Sequence, residues 1–423
     1  MNRLEAPAFG QVEHIELIKA EPVSFANGLK LFVINGGEQE LVRIEFIFKN
    51  VNWNVAKPLQ AYAVNSMISD GTSQYTASQI AERIDYYGAF IQTEYNYDMA
   101  SVTIHSLNKH LASILPIVKS LLTDSIFPEE ELETFKRNQK QKLSVSLEKN
   151  DVVSRRTFNR ALFGDTIYGY TVTATDYDQI ARADLIKYFR EAYQPANCTV
   201  ILAGRATEEA ISLISNHFGE DWTTDQGFTV NTFEFSRTAG LERYVEKPQA
   251  LQSAIRVGQT CVNRQHPDFP ALQVLNTVLG GYFGSRLMAN IREDKGYTYG
   301  IGSALVSLQN AGYFFIASDV GAEVCSAAVS EIEKEIKLLR EQPVPAEELD
   351  LVRNYMMGSL LGSLENAFSH ADKFKNIYFL GLGYDYYDTY INTVRTITSE
   401  RLQELANKYL DFDSFEKVIV GKK

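Results

Sequence analysis

Two stretches of this chain repeat one hydrophobic pattern. "IARADLIKYFREAY" from Ile180 and "ITSERLQELANKYL" from Ile397 both carry apolar residues at helical spacing, and each runs into a short apolar strand, "ILAG" ending at Gly204 and "VIVG" ending at Gly421. A third pattern, "VCSAAVSEIEKEIKLLREQ", aligns Val324, Ala327, Ala328, Ile332, Ile336 and Leu339 along one face with charges opposite, as a helix packed on a sheet would. Between Gly280 and Gly300, "GGYFGSRLMANIREDKGYTYG" changes period twice. Gly280, Gly281 and Gly284 predict a loop, since glycine tolerates positive φ and the close approach of another chain. Ser285 is placed to cap a short helix with Leu287, Met288 and Ile291 on its apolar face, and Gly296 to end it. Tyr297, Tyr299 and Ile301 then alternate with Thr298, Gly300 and Gly302, the period of a strand.

These patterns belong to a duplication. "PEEEL" at Pro128 returns as "PAEEL" at Pro345, "SLE" at Ser146 returns at Ser363, and the strand ending at Gly204 returns at Gly421, each time 217 residues on. The predicted fold class is therefore α+β: two homologous modules in tandem, each a mainly antiparallel sheet packed against helices. Each module reads as a leading strand pair, a helix, further strands, a long helical hairpin, another helix and a last strand. The polar stretch from Gly219 to Gly240 has no strong period, which places an N-terminal module at 1–222, a linker at 223–243 and a C-terminal module at 244–423.

Composition narrows the function. At 423 residues the chain exceeds a usual single core, in keeping with two domains. A net charge of −12 argues against a nucleic-acid partner, whose binding leans on clustered Lys and Arg. Cys198, Cys261 and Cys325 are odd in number and far apart, which fits reduced thiols rather than a disulfide framework. "MNRLEAPAFGQVEHIELIKAEP" has no apolar core of a signal peptide, and no run of 18 apolar residues occurs. The expectation is a cytoplasmic protein without a membrane segment. The aromatic cluster Tyr384 to Tyr390 fits either a peptide groove or a mixture of core and surface, the latter preferred.

With "FANGLKLFVI" near the start, "IFPEEEL" in the middle and "SRLMANIREDKGYTYG" in the second half, the chain resembles, over essentially its whole length, the zinc peptidases of the pitrilysin and mitochondrial-processing-peptidase family. The resemblance implies half of a clamshell. It also implies a role for Arg292 and Tyr299, which match an arginine–tyrosine pair that contacts substrate opposite the metal in active members. The family's inverted motif, His-x-x-Glu-His, puts two imidazoles and a general base on one helix and precedes a Gly-Thr, here Gly71 and Thr72. Counting back places Tyr62, Asn65 and Ser66 at the motif's three positions, and counting forward places the distal glutamate ligand near Lys142 or Leu143. None of these is a matching ligand.

Six histidines, His14, His105, His110, His217, His266 and His370, include no pair three or four apart, so no substitute metal helix is expected. The resemblance then implies the non-catalytic, substrate-binding subunit of a heteromeric zinc endopeptidase acting on peptides or unfolded segments. Gly280, Gly281, Gly284, Arg292 and Tyr299 would bind substrate, Arg292 and Tyr299 acting in trans on a partner's zinc site, while this chain binds no metal. The expected partner is a homologous zinc-bearing subunit, with a homodimer possible in isolation. The alternative is an inactive peptide-binding or scaffold protein of the same fold. The sequence shows no nucleophile–base pair for unrelated chemistry, and "GGYFGS" lacks the Lys and strand-first context of a phosphate loop.

Overall fold

The computed structural model describes residues 15–223, 227–235 and 240–422. His14, most of the stretch searched for a leader, and residues 224–226 and 236–239 of the polar connection lie outside them.

Two sheets organise the chain. The first contains β1 (Glu21–Ser24), β2 (Lys30–Asn35), β3 (Leu41–Lys49), β4 (Phe90–Tyr95), β5 (Met99–Leu107) and β6 (Cys198–Gly204), in the spatial order β1-β2-β6-β3-β5-β4. The second contains β7 (Glu242–Glu246), β8 (Gln252–Cys261), β9 (Thr298–Ser307), β10 (Gly312–Gly321) and β11 (Glu416–Gly421), in the order β7-β11-β8-β10-β9. Matching β2, β6, β3, β5 and β4 to β7, β11, β8, β10 and β9 makes the two orders identical. Among the described residues only the β2/β6 and β7/β11 pairs are parallel, so the architecture is α+β with two mainly antiparallel sheets.

Helices obey the repeat as well. Glu129–Leu147 and Ala346–Gly362 begin at corresponding positions, as do Arg182–Ala192 and Ser399–Tyr409. Earlier elements sit at a shorter offset, because β9 and β10 together are longer than β4 and β5. The helix Cys325–Glu341 buries Ala328, Ile332, Ile336 and Leu339 as the spacing predicts. Ala327 instead faces outward and Cys325 takes its place in the core.

What binds the modules is an exchange of helices. Asn150–Phe163, from the first module, lays Phe158 and Leu162 against Ala254, Val418 and Val420 of the second sheet. Its counterpart Ala367–Tyr378 lays Ala371 and Phe374 against Ile34, Ile47 and Ile201 of the first sheet. This accounts for β6, in which every residue is buried: Val200 and Leu202 face the first module's own core, Ile201 and Ala203 the incoming helix. A strand covered on both faces reads as an unbroken apolar run.

The polar connection is also anchored. Phe233 packs edge-on and Phe235 tilted against Tyr168, with centroids 5.7 and 5.8 Å away, Val230 bridges to Val51, and β7 has already begun at Glu242.

Candidate functional site

The stretch from Thr277 to Ser307 builds a platform. Thr277–Gly281 is a π-helical turn that ends the helix Phe269–Asn276, so Gly280 and Gly281 are helical and not the expected loop. None of Gly280, Gly281 and Gly284 has positive φ. The requirement at Gly280 is space: a Cβ there would lie 2.6 Å from Ser303 Oγ and 2.7 Å from its backbone N. Gly280 therefore lets the helix end sit directly on β9. At Gly284 a Cβ would lie 2.8 Å from the Tyr282 ring.

The next helical segment begins directly after Ser285 and is wound as a π-helix over Met288–Asp294. Leu287, Met288 and Ile291 are buried as the pattern predicts. Ser285 does not cap it: its Oγ is buried without a hydrogen-bond partner. Gly296, at φ +66°, reverses the chain, and the Tyr297 N–H returns to the Ile291 carbonyl at 3.0 Å. Two polar clamps fix the segment. Arg286 holds Glu348 in a two-armed ion pair, 2.8 Å on each arm, and Asn290 Nδ2 donates to Glu331 and Glu335 at 2.9 and 2.7 Å.

From this platform Arg292 lies with its guanidinium carbon 4.5 Å from the centroid of the Phe283 ring, itself exposed. Tyr299 stands at the start of the edge strand β9. Ile301 pairs with Ser318 and Thr298 with Val320, so Tyr299 and Gly300 together oppose Asp319 alone. This bulge turns Tyr299 out of the strand's alternation, leaving it 93% exposed while Ile301 is buried. Thr298 pins the bulge: its Oγ1 accepts the Gly300 N–H at 3.1 Å and donates to the Asp319 carbonyl at 2.7 Å. The sequence signal for the bulge was Gly300 inside a strand pattern.

The three motif positions lie in the other module, on the helix Gln60–Ser66 that packs against β4 and β5. The structure does not bring them to Arg292 and Tyr299. Tyr62 donates to Gln139 Oε1 at 3.1 Å and packs against Tyr95 and Phe135. Burial pushes its phenol pKa up. Asn65 is buried, and its Nδ2 donates to the Ser101 carbonyl at 3.0 Å and to the Tyr193 hydroxyl at 3.2 Å. The side chain that meets the Tyr62 hydroxyl from the facing helix Glu129–Leu147 is Gln139. Gln139 and Leu143 share a helix face one turn apart, and Lys142 points to solvent.

A phenol, a carboxamide, a hydroxyl and a second carboxamide do not make a zinc site, whose ligands are imidazole, thiolate or carboxylate. Among the described residues no three His, Cys, Asp or Glu side chains gather as metal ligands. His105 stacks edge-on against Phe368, His110 lies against Tyr87, and the ring nitrogens of His266 and His370 accept backbone N–H groups.

Two modules with one strand order, a motif helix without metal ligands and a clamped Arg/Tyr platform define a peptidase-like protein of the inactive type. Sequence comparison agrees with that class. Residues 60–176 match the model of insulinase (peptidase family M16), and residues 179–356 match the peptidase M16 inactive domain. The chain belongs to peptidase family M16. An uncharacterized zinc protease of Bacillus subtilis, YmxG, is 26% identical over 361 residues, spanning 84% of this chain and 86% of its own. A Helicobacter pylori protein named non-peptidase homolog YmxG is 21% identical over 366 residues, spanning 84% and 83%. The crystal structure of a peptidase M16 inactive domain from Pseudomonas fluorescens has the same fold, with a TM-score of 0.82 at 21% identity over 96% of this chain and 98% of that one.

Proposed function

We propose that this chain is the non-catalytic, substrate-binding subunit of a heteromeric zinc endopeptidase, closing as half of a clamshell over a partner that carries His-x-x-Glu-His. The observation that carries the reading is the state of Tyr299: a bulge holds its phenol in solvent, and it makes no hydrogen bond among the described residues. A phenol left out of the fold at the end of a clamped platform is available to donate to a scissile carbonyl as it becomes an oxyanion. Arg292, parked on an exposed ring rather than in an ion pair, is available to hold substrate by charge-assisted hydrogen bonds. Zinc belongs to the partner in this reading, and the residues at Tyr62, Asn65, Ser66 and Gln139 explain why.

The test is cleavage of a quenched fluorescent peptide by this chain, by a zinc-bearing homologous subunit, and by the two mixed. Turnover confined to the mixture and lowered about a hundredfold by Arg292→Ala or Tyr299→Phe is the expected result, the loss of one oxyanion donor being of that order. Unchanged turnover in both variants sinks the trans-acting role. Silence in every mixture, with peptide still bound, favours the scaffold.

A further inference from the structure

The second module holds a cavity of about 330 Å³ behind the helix Asp385–Thr396, and its chemistry is unusual for this chain. Arg264 and Lys373 both line it, and no Asp or Glu does, in a protein of net charge −12. The Lys373 carbonyl accepts the Tyr387 hydroxyl at 2.8 Å, but its ammonium makes no ion pair or hydrogen bond among the described residues. Its sequence neighbour Asp372 is already held by Arg43 at 2.8 Å.

Arg264 is fixed in place. Its Nη1 donates to the Asn376 carbonyl at 2.9 Å, and its guanidinium carbon lies 5.8 Å from the centroid of Phe269 and 5.6 Å from that of Tyr386. Its Nε is buried without an acceptor. Burial, and after it the charge of Arg264, holds the Lys373 ammonium below its ordinary pKa. Two cations share a partly buried cavity that no carboxylate lines, so a counterion there would be favoured.

The rest of the wall suits an anion. The Tyr390 phenol is pushed up to about 12, chiefly by burial, so it stays a protonated donor at neutral pH. Leu305, Met356 and Leu360 supply an apolar side, against which an organic body would pack.

We propose that this cavity binds the oxyanion group, phosphate or carboxylate, of a small solute, with Arg264 and Lys373 as its two cationic anchors. The cavity backs onto the platform, since Thr277 and Gly281 also line it, but it needs no partner subunit.

The experiment is a titration of the isolated full chain with inorganic phosphate and, separately, with citrate, against chloride at matched ionic strength. Heat of binding and the shift in Tm are both followed. A saturable response to either anion below about 10 mM, weakened about tenfold or more by Lys373→Gln and by Arg264→Gln, is expected. Which anion responds identifies phosphate or carboxylate as the source. In chloride alone Lys373→Gln should raise Tm, because it relieves the uncompensated pair. Arg264 also supports the Asn376 carbonyl, so if its variant does not fold, Lys373→Gln alone decides. No saturable response to either anion, or a response that Lys373→Gln leaves unchanged, overturns the site.

Discussion

Lys375 Nζ lies 2.8 Å from Glu45 Oε1, and the two residues belong to different modules. Glu45 stands in β3 only 3% exposed, and Lys375 comes from the exchanged helix Ala367–Tyr378. No hydrogen bond reaches Glu45 Oε2, and Arg43 is 4.0 Å from it, so Lys375 is the principal partner of a buried carboxylate. Removing one member of such a pair strands the other charge, whereas replacing both with apolar groups does not. Lys375→Met should therefore destabilise the protein by about 2 kcal/mol, discounted for the lysine's partial exposure. Lys375→Met with Glu45→Leu should recover most of the loss. Denaturant unfolding of both variants checks this, and a double variant worse than the single would show that the pair does not act as a latch.

Gly280 is the tightest point between the platform and β9. A Cβ there meets Ser303 N at 2.7 Å, and a backbone atom cannot swing away as a side chain can. Gly280→Ala should cost about 2 kcal/mol through overpacking, although alanine is the better helix former. Gly300→Ala is the control. Nothing lies within 4 Å of its Cβ position, and its Tm should stay close to wild type.

Asp70 adjoins the degenerate motif helix, and burial, with Glu131 adding to it, raises its carboxyl pKa to about 6. A carboxyl raised in the folded state favours folding while protonated, below about pH 4, and loses that contribution as pH rises through about 6. Asp70→Asn should then stabilise the protein by about 1 kcal/mol at pH 7.5, the shift being discounted for partial exposure. The advantage should vanish near pH 4. A Tm difference that does not change across that range would remove Asp70 from the account.

Duplication and sheet composition were legible because helical spacing before "ILAG" and "VIVG" survives in both copies. The exchange of Asn150–Phe163 and Ala367–Tyr378 was not, since an apolar helix face records that it is covered and not by which module. Arg292 and Tyr299 were found through their flanks, and Gly300 inside the strand pattern is a bulge signal, but that the bulge exposes Tyr299 depends on the pairing of β9 with β10. The glycines were misread for a related reason. Gly280 was read for positive φ and for the close approach of another chain, and only the second, with the distant Ser303 as neighbour, is found.

The contact between Tyr62 and Gln139, 3.1 Å from hydroxyl to amide oxygen, brings a side chain of the motif helix to the helix Glu129–Leu147. Substituting Tyr62→His, Asn65→Glu and Ser66→His would rebuild the motif on one helix, and Gln139→Glu would supply the fourth position. The quadruple variant should take up one equivalent of Zn²⁺, measured by metal analysis after dialysis, and the triple variant that keeps Gln139 should bind at least about tenfold more weakly. Asn65 surrenders its bonds to Ser101 and Tyr193 in both, so the comparison between the two variants isolates position 139 from that cost. Equal affinity in the two would place the distal position elsewhere on the helix, and a Leu143→Glu series would then find it.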